Sequence, residues 1–213
     1  MPRCCPNLFL RRGNAILLLV LGMLLSLTSL TQAQCPQNWL EGDGIPGVER
    51  SIEDMVLWDP DGDGPAKEAV FACGYSGIFG TFRWRGVASW DGERWSPFGT
   101  EFAAPYQTEN LRALTVFRGE LIAAGSFTDA GGVPISNIAR WDGTQWQPLG
   151  SGTSGVVYDL TVFNDRLYAG GTFSLAGGIP QTRALAQWDG MTWQAVSNGL
   201  PAVGNVLAFA LYQ

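Results

Sequence analysis

Trp141-Asp142-Gly143-Thr144-Gln145-Trp146 is one of three versions of a single motif in this 213-residue chain. The others are Trp90-Asp91-Gly92-Glu93-Arg94-Trp95 and Trp188-Asp189-Gly190-Met191-Thr192-Trp193. The first tryptophans, at 90, 141 and 188, stand 51 and 47 residues apart. Self-similarity at such a period marks a stacked or circular repeat architecture. It decides the fold class before any local propensity is weighed.

Outward from the tryptophans the copies stay in register. A glycine lies 16 or 17 residues upstream, as Gly74, Gly125 and Gly171, and a second follows six residues later, as Gly80, Gly131 and Gly177. Two copies continue alike, as Gly131-Gly132-Val133-Pro134 and Gly177-Gly178-Ile179-Pro180. The run into the motif is also shared: Val87-Ala88-Ser89, Ile138-Ala139-Arg140 and Leu185-Ala186-Gln187.

Each unit reads as four short strands. Strand one covers Leu111 to Phe117 or Val157 to Phe163, and strand two Leu121 to Gly125 or Leu167 to Gly171. Strand three ends on the first tryptophan and strand four holds the second. The intervening Asp-Gly predicts a type I′ turn, which needs positive φ at both central residues. The mature chain carries no convincing helical period. Strands one and two are apolar on both faces, as strands packed on both sides are, and each blade of a propeller lies between two neighbours. The expected fold is therefore all-β, a β-propeller of four-stranded antiparallel blades. Its units cover about 51–99, 110–150 and 157–198, with a partial unit at 203–213.

Both ends extend the pattern. Trp39-Leu40 with Gly42 matches a fourth strand, and Val206 to Tyr212 matches a first strand. About three full blades with partial strands at each end make an incomplete or open propeller, below the usual minimum of four blades. Truncation of a longer propeller is the favoured explanation, and an open arc that self-associates is the other.

The glycine after strand two and the tryptophan after strand three resemble the kelch-type β-propeller pattern. Ala169 to Phe173 followed by Trp-Asp-Gly-x-x-Trp is similar to secreted bacterial kelch-like or delta-60-like repeat proteins. The resemblance covers residues 39–213. It implies a fold and leaves the task open, because such folds host many functions.

Residues 1–33 read as a signal peptide. Arg3, Arg11 and Arg12 precede an uncharged stretch, Gly13 to Ala33, with an apolar centre at Ile16 to Leu27 and small residues before the cleavage point after Ala33. An uncleaved anchor is the alternative, since the stretch could span a bilayer. The expected location is secreted, periplasmic or on the cell surface, with no membrane insertion after cleavage. The mature domain, 34–213, keeps 10 basic and 19 acidic residues, a net charge of −9. That acidity argues against nucleic acid, whose binding needs clustered Lys and Arg. Cys4 and Cys5 leave with the signal, and Cys35 and Cys73 remain as an even pair in an oxidising compartment. A Cys35–Cys73 disulfide would stabilise by about 2–4 kcal/mol. The alternative is a pair of unbridged thiols, with Cys73 filling the place of Ala124 and Gly170.

The chain contains no histidine. That removes Ser-His-Asp and Cys-His catalysis and His-based zinc or copper sites, copper-radical oxidases of kelch architecture among them. Carboxylate-pair hydrolysis stays open. Asp59, Asp61 and Asp63, in Asp59-Pro60-Asp61-Gly62-Asp63-Gly64, form a weak calcium candidate. They match the first half of an EF-hand loop, but Val70 stands where the bidentate Glu belongs. The alternative is an enlarged polar turn. The repeated tryptophans suit blade packing better than sugar stacking, and Asp91, Asp142 and Asp189 look like turn residues. Loops joining strands two and three share a rim with those leading into the next unit. There, Arg83, Trp84 and Arg85 form the candidate binding patch, unless Trp84 tucks into its blade. The expected function is non-catalytic: binding of extracellular protein or glycan, or cell-surface scaffolding. A carbohydrate-active propeller enzyme using carboxylates is the runner-up, and a fragment without independent function the third possibility.

Overall fold

Successive residues of a strand point to opposite faces, so a strand apolar on both faces needs a packed layer on each side. The computed structural model describes residues 51–62, 64–75, 77–79, 81–104, 110–196 and 204–210. Unit 1 holds β1 (Ile52–Trp58), β2 (Ala69–Gly74), an inserted hairpin of β3 (Gly77–Phe79) and β4 (Phe82–Trp84), then β5 (Val87–Trp90) and β6 (Trp95–Phe98). A short strand β7 (Phe102–Ala103) leads to unit 2: β8 (Asn110–Phe117), β9 (Glu120–Ser126), the small strands β10 (Asp129–Ala130) and β11 (Val133–Pro134), β12 (Ile138–Trp141) and β13 (Trp146–Pro148). Unit 3 holds β14 (Val157–Phe163), β15 (Arg166–Gly171), β16 (Leu185–Trp188) and β17 (Trp193–Ala195), with a 3-10 turn at Pro180–Thr182.

The protein is all-β, with three four-stranded antiparallel sheets ordered β1-β2-β5-β6, β8-β9-β12-β13 and β14-β15-β16-β17. They stand side by side as blades of an open propeller, and the expected fold is the observed one. The core lies between blades. In β9, Leu121 and Ala123 join a cluster shared with unit 1 that includes Trp58 and Phe71, whereas Ile122 and Ala124 join one shared with unit 3 that includes Leu160 and Trp193.

The repeated glycine after strand two has a steric cause. Strand one carries a bulge opposite it in every unit, between Ile52/Asp54, Leu111/Ala113 and Val157/Asp159. A Cβ on Gly74, Gly125 or Gly171 would lie 2.3, 2.0 or 2.1 Å from the carbonyl oxygen of Ser51, Asn110 or Val156. The tryptophan pairs also repeat, with ring centroids 5.4–5.5 Å apart in all three units. Each later pair packs on the glycine that ends strand four of the preceding unit. A Cβ on Gly99 would meet Trp146 Nε1 at 2.6 Å, and one on Gly150 would meet Trp188 Cζ3 at 3.1 Å.

Two expectations change. In the Trp-Asp-Gly-x-x-Trp turns only the glycine has positive φ (98° at Gly92, 99° at Gly143, 101° at Gly190). The turn is therefore not type I′. The aspartate side chain, and not a second left-handed residue, holds the chain there: Asp142 Oδ1 accepts from the Thr144 and Gln145 amides at 2.9 Å each, and Asp91 and Asp189 do the same in their turns. The expected strand at Val206 to Tyr212 is also not a ladder over 204–210, which has no strand partner among the described residues. It still takes the inner-strand place beside unit 3, because the Val206 amide donates to Gly171 O at 3.3 Å and Val206 packs over Gly170. Tyr212 and Trp39 to Gly42 lie outside the described residues, as do residues 1–33. Among the described residues, no helix is long and apolar enough to cross a membrane.

Candidate functional site

The bulge in strand one aims successive units at one axis. Glu53, Arg112 and Tyr158 hold equivalent positions in β1, β8 and β14, and Leu207 holds that position in the segment after unit 3. All four line one cavity of about 400 Å³, with Asp54, Asp159 and Ala208 beside them. The Arg112 guanidinium stacks over the Tyr158 ring, 5.1 Å from its centroid.

The axial aspartates are spent on backbone. Asp54 Oδ1 accepts from the Met55 amide, and its Oδ2 accepts from the Leu114 amide of the next unit, both at 2.7 Å. Asp159 repeats this, taking the Leu160 amide at 2.8 Å and the Phe209 amide beyond it. Each is a clip from one inner strand to the next. Unit 2 has Ala113 at that position and makes no such clip. Removing the clip with Asp54→Ala leaves the Leu114 amide without its acceptor, an expected loss of about 1–3 kcal/mol measured by chemical denaturation.

Burial pushes the Asp54 carboxyl above the usual range, helped by the nearby Asp159 charge, while the two amides pull it down. A raised folded value favours the protonated folded form. Its contribution to stability is full below the unfolded carboxyl pKa and declines as pH rises through the folded value. The turn aspartates behave oppositely. Backbone amides hold Asp91, Asp142 and Asp189 below the usual range, with the Gln147 side chain adding to the effect at Asp142. Their stabilisation is present above the unfolded carboxyl value and is lost as pH falls through the folded one. Melting temperature measured against pH below 4 is therefore expected to fall less steeply in Asp142→Asn than in the parent protein, since one carboxylate no longer takes up a proton there.

A second cavity, about 560 Å³, opens between units 2 and 3 over Phe117, Leu149 and Trp188. Its two arginines already have partners: Arg140 Nη1 lies 2.8 Å from Glu120 Oε1, and Arg118 Nε donates to Asp165 Oδ1 at 3.0 Å.

The sequence-predicted sites fall in separate places. Arg83 and Trp84 lie in the inserted β3–β4 hairpin and Arg85 follows it. Arg83 is exposed, whereas Trp84 is half-buried and its indole N–H donates to Val87 O at 2.9 Å. The Arg85 carbonyl accepts from the Phe102 amide at 2.8 Å, tying the loop after the hairpin to the segment that leads into unit 2. Counted from the glycine after strand two, Phe79 and Trp84 stand where unit 2 has Ala130 and Ile135. These larger rings pack on Ala72, Ala88 and Trp95, on the side of unit 1 that faces away from unit 2.

Asp59 and Asp61 lie in an exposed turn, and Asp63 lies outside the described residues. Asp61 Oδ2 accepts from the Ala66 amide at 3.1 Å, and Asp59 Oδ1 from the Asp61 amide at 3.3 Å, so each carboxylate also serves its own loop. Among the described residues no three metal-ligating side chains converge. If the loop is only a turn, millimolar calcium leaves the melting temperature unchanged. A calcium-dependent rise following ligand linkage would assign the site to these aspartates.

Cys73 is fully buried in β2 and has no disulfide partner among the described residues, and Cys35, its expected partner, lies outside them. Burial pushes the Cys73 thiol well up, so its thiolate is scarce.

The axial ring and the clips escape motif reading because neither has a sequence spacing of its own. Their signal is an internal alignment of strand one, where Asp54 and Asp159 share a place. No protein-family model matches the chain, and no curated protein matches it significantly.

Proposed function

We propose that this chain is a secreted, non-catalytic propeller-repeat protein that binds extracellular protein or glycan, or scaffolds the cell surface. One observation carries the reading. Of the three carboxylates that line the axial cavity, Asp54 and Asp159 each hold two backbone amides, which leaves Glu53 without a second uncommitted carboxylate beside it. A glycosidase needs a carboxylate pair left to meet substrate as acid and as base or nucleophile. The absence of histidine removes the commonest alternative general acid/base. The kelch-type resemblance and the N-terminal signal-like segment support export and a binding role. The exposed Arg83 beside Trp84 supports a contact patch on the rim.

A glycan array combined with a panel of glycosidase substrates tests the proposal. Binding without turnover, weakened by Arg83→Ala, is the expected result. Turnover that disappears in Asp54→Asn or Asp159→Asn overturns it in favour of the carbohydrate-active enzyme.

A further inference from the structure

The two joints between units are built from equivalent positions but are filled differently. Between units 1 and 2 the joint is packed with rings. The Phe98 centroid lies 5.8 Å from that of Trp58 and 4.7 Å from that of Trp141, and the Trp58 indole N–H donates across the joint to Gly119 O at 2.9 Å. Between units 2 and 3 smaller side chains hold two of these places. Phe117 stands for Trp58 and Leu149 for Phe98, while Trp188 keeps the place of Trp141. The cleft of about 560 Å³ opens over these three residues. Its size is that of a small-molecule site.

The walls of the cleft also depart from the other copies. Glu120 and Arg140 stand where unit 1 has Ala69 and Ser89. Met191 lines the cleft and is 82% exposed, where the other two turns carry Glu93 and Thr144. Arg118 lies across the turn of unit 3, so that a Cβ on Gly190 would collide with its Nη1. Each guanidinium is balanced by its own carboxylate, Arg140 by Glu120 and Arg118 by Asp165. An ion entering the cleft has to break one of these pairs, and an uncharged ligand does not. Arginine carries several N–H donors and a carboxylate several lone pairs, so each pair can bond a hydroxyl and stay paired.

We propose that this cleft binds a neutral saccharide unit. The C–H face of the sugar lies on Phe117, Leu149 and Met191, and its hydroxyls meet the Arg140–Glu120 and Arg118–Asp165 pairs. This assignment rests on the binding role proposed above and gives it a ligand class. The site is a different one, because the cleft lies at the turns after strands one and three, at the opposite end of the blades from Arg83 and Trp84.

Isothermal titration of the purified chain with maltose, cellobiose and lactose, and with glucuronate as the charged control, tests it. At least one neutral sugar is expected to bind, and glucuronate is not. Leu149→Phe copies the filled joint and should abolish binding with an unchanged melt. Arg140→Ser, which copies Ser89, should weaken binding about tenfold or more, the size of a hydrogen bond to a charged group. Met191→Thr, a surface change that copies Thr144, should weaken it too, and Arg83→Ala should leave it unchanged. No binding of any neutral sugar at millimolar concentration overturns the proposal, as does tighter binding of glucuronate. Binding that survives all three cleft substitutions overturns it as well. If Arg83→Ala then removes that binding, the rim patch stands and only the cleft fails.

Discussion

Trp193→Ala is expected to destabilise the protein by about 3–5 kcal/mol, the range for deleting a buried aromatic. Trp193 is almost fully buried between units 2 and 3, tilted at 56° against the Trp188 ring and lying against Gly150 and Gly177. Its indole N–H donates to Leu149 O at 2.9 Å, so truncation opens a cavity and strips that carbonyl of its partner. Trp146, its counterpart in unit 2, is fully buried but its Nε1 has no hydrogen-bond partner. The pair therefore separates packing from hydrogen bonding. Trp193→Phe should cost more than Trp146→Phe by about 1–2 kcal/mol, because only the first breaks a bond. Urea unfolding of both variants measures the difference, and equal losses would mean that the Leu149 contact contributes nothing net.

Gly125→Ala should cost about 3 kcal/mol or more, at the upper end for overpacking. The new Cβ would stand 2.0 Å from Asn110 O and 2.9 Å from Leu111 Cα, all backbone, so no side chain can rotate away. The relief available is to open the β8 bulge, which places Arg112 at the axis. Gly119→Ala is the control. Gly119 has φ of 83° and open space around it, so its cost is the left-handed backbone alone, about 1–2 kcal/mol. Gly125 does not have positive φ, so a large loss there reports contact and not backbone strain. If the two substitutions cost the same, the steric account of the repeated glycine is wrong.

The buried Cys73 gives a third expectation. In the folded protein it should resist thiol reagents, because burial leaves little thiolate. Denaturing the unreduced protein then counts thiols. Two reactive groups in the mature chain would end the Cys35–Cys73 bridge, and none would establish it.

The repeat and its all-β class were legible in the sequence because strand pattern is local. Apolar residues on both faces of Leu121 to Ala124, a glycine at each strand-two end and an Asp-Gly after each tryptophan are visible within a few residues of one another. The turn aspartates were also legible, since their hydrogen bonds reach only two or three residues along the chain. The turn type was not, because Asp142 meets the demand of the loop with its side chain where a second left-handed residue was expected.

The sequence by itself determined the blade: four strands, both faces apolar, glycine where strand one bulges, and tryptophan at fixed positions. Only the tertiary structure decided how blades join and what is left open. The Asp54 clip spans 60 residues and the Asp159 clip 50, each linking different units. The Phe79 and Trp84 rings cap a face whose owner cannot be read from their own segment. Met55, Leu57 and Phe163 look like ordinary strand residues, yet they stand half exposed where their counterparts Leu114 and Phe117 are buried. Periodicity records which way a side chain points, and the stacking of whole sheets settles what it meets there.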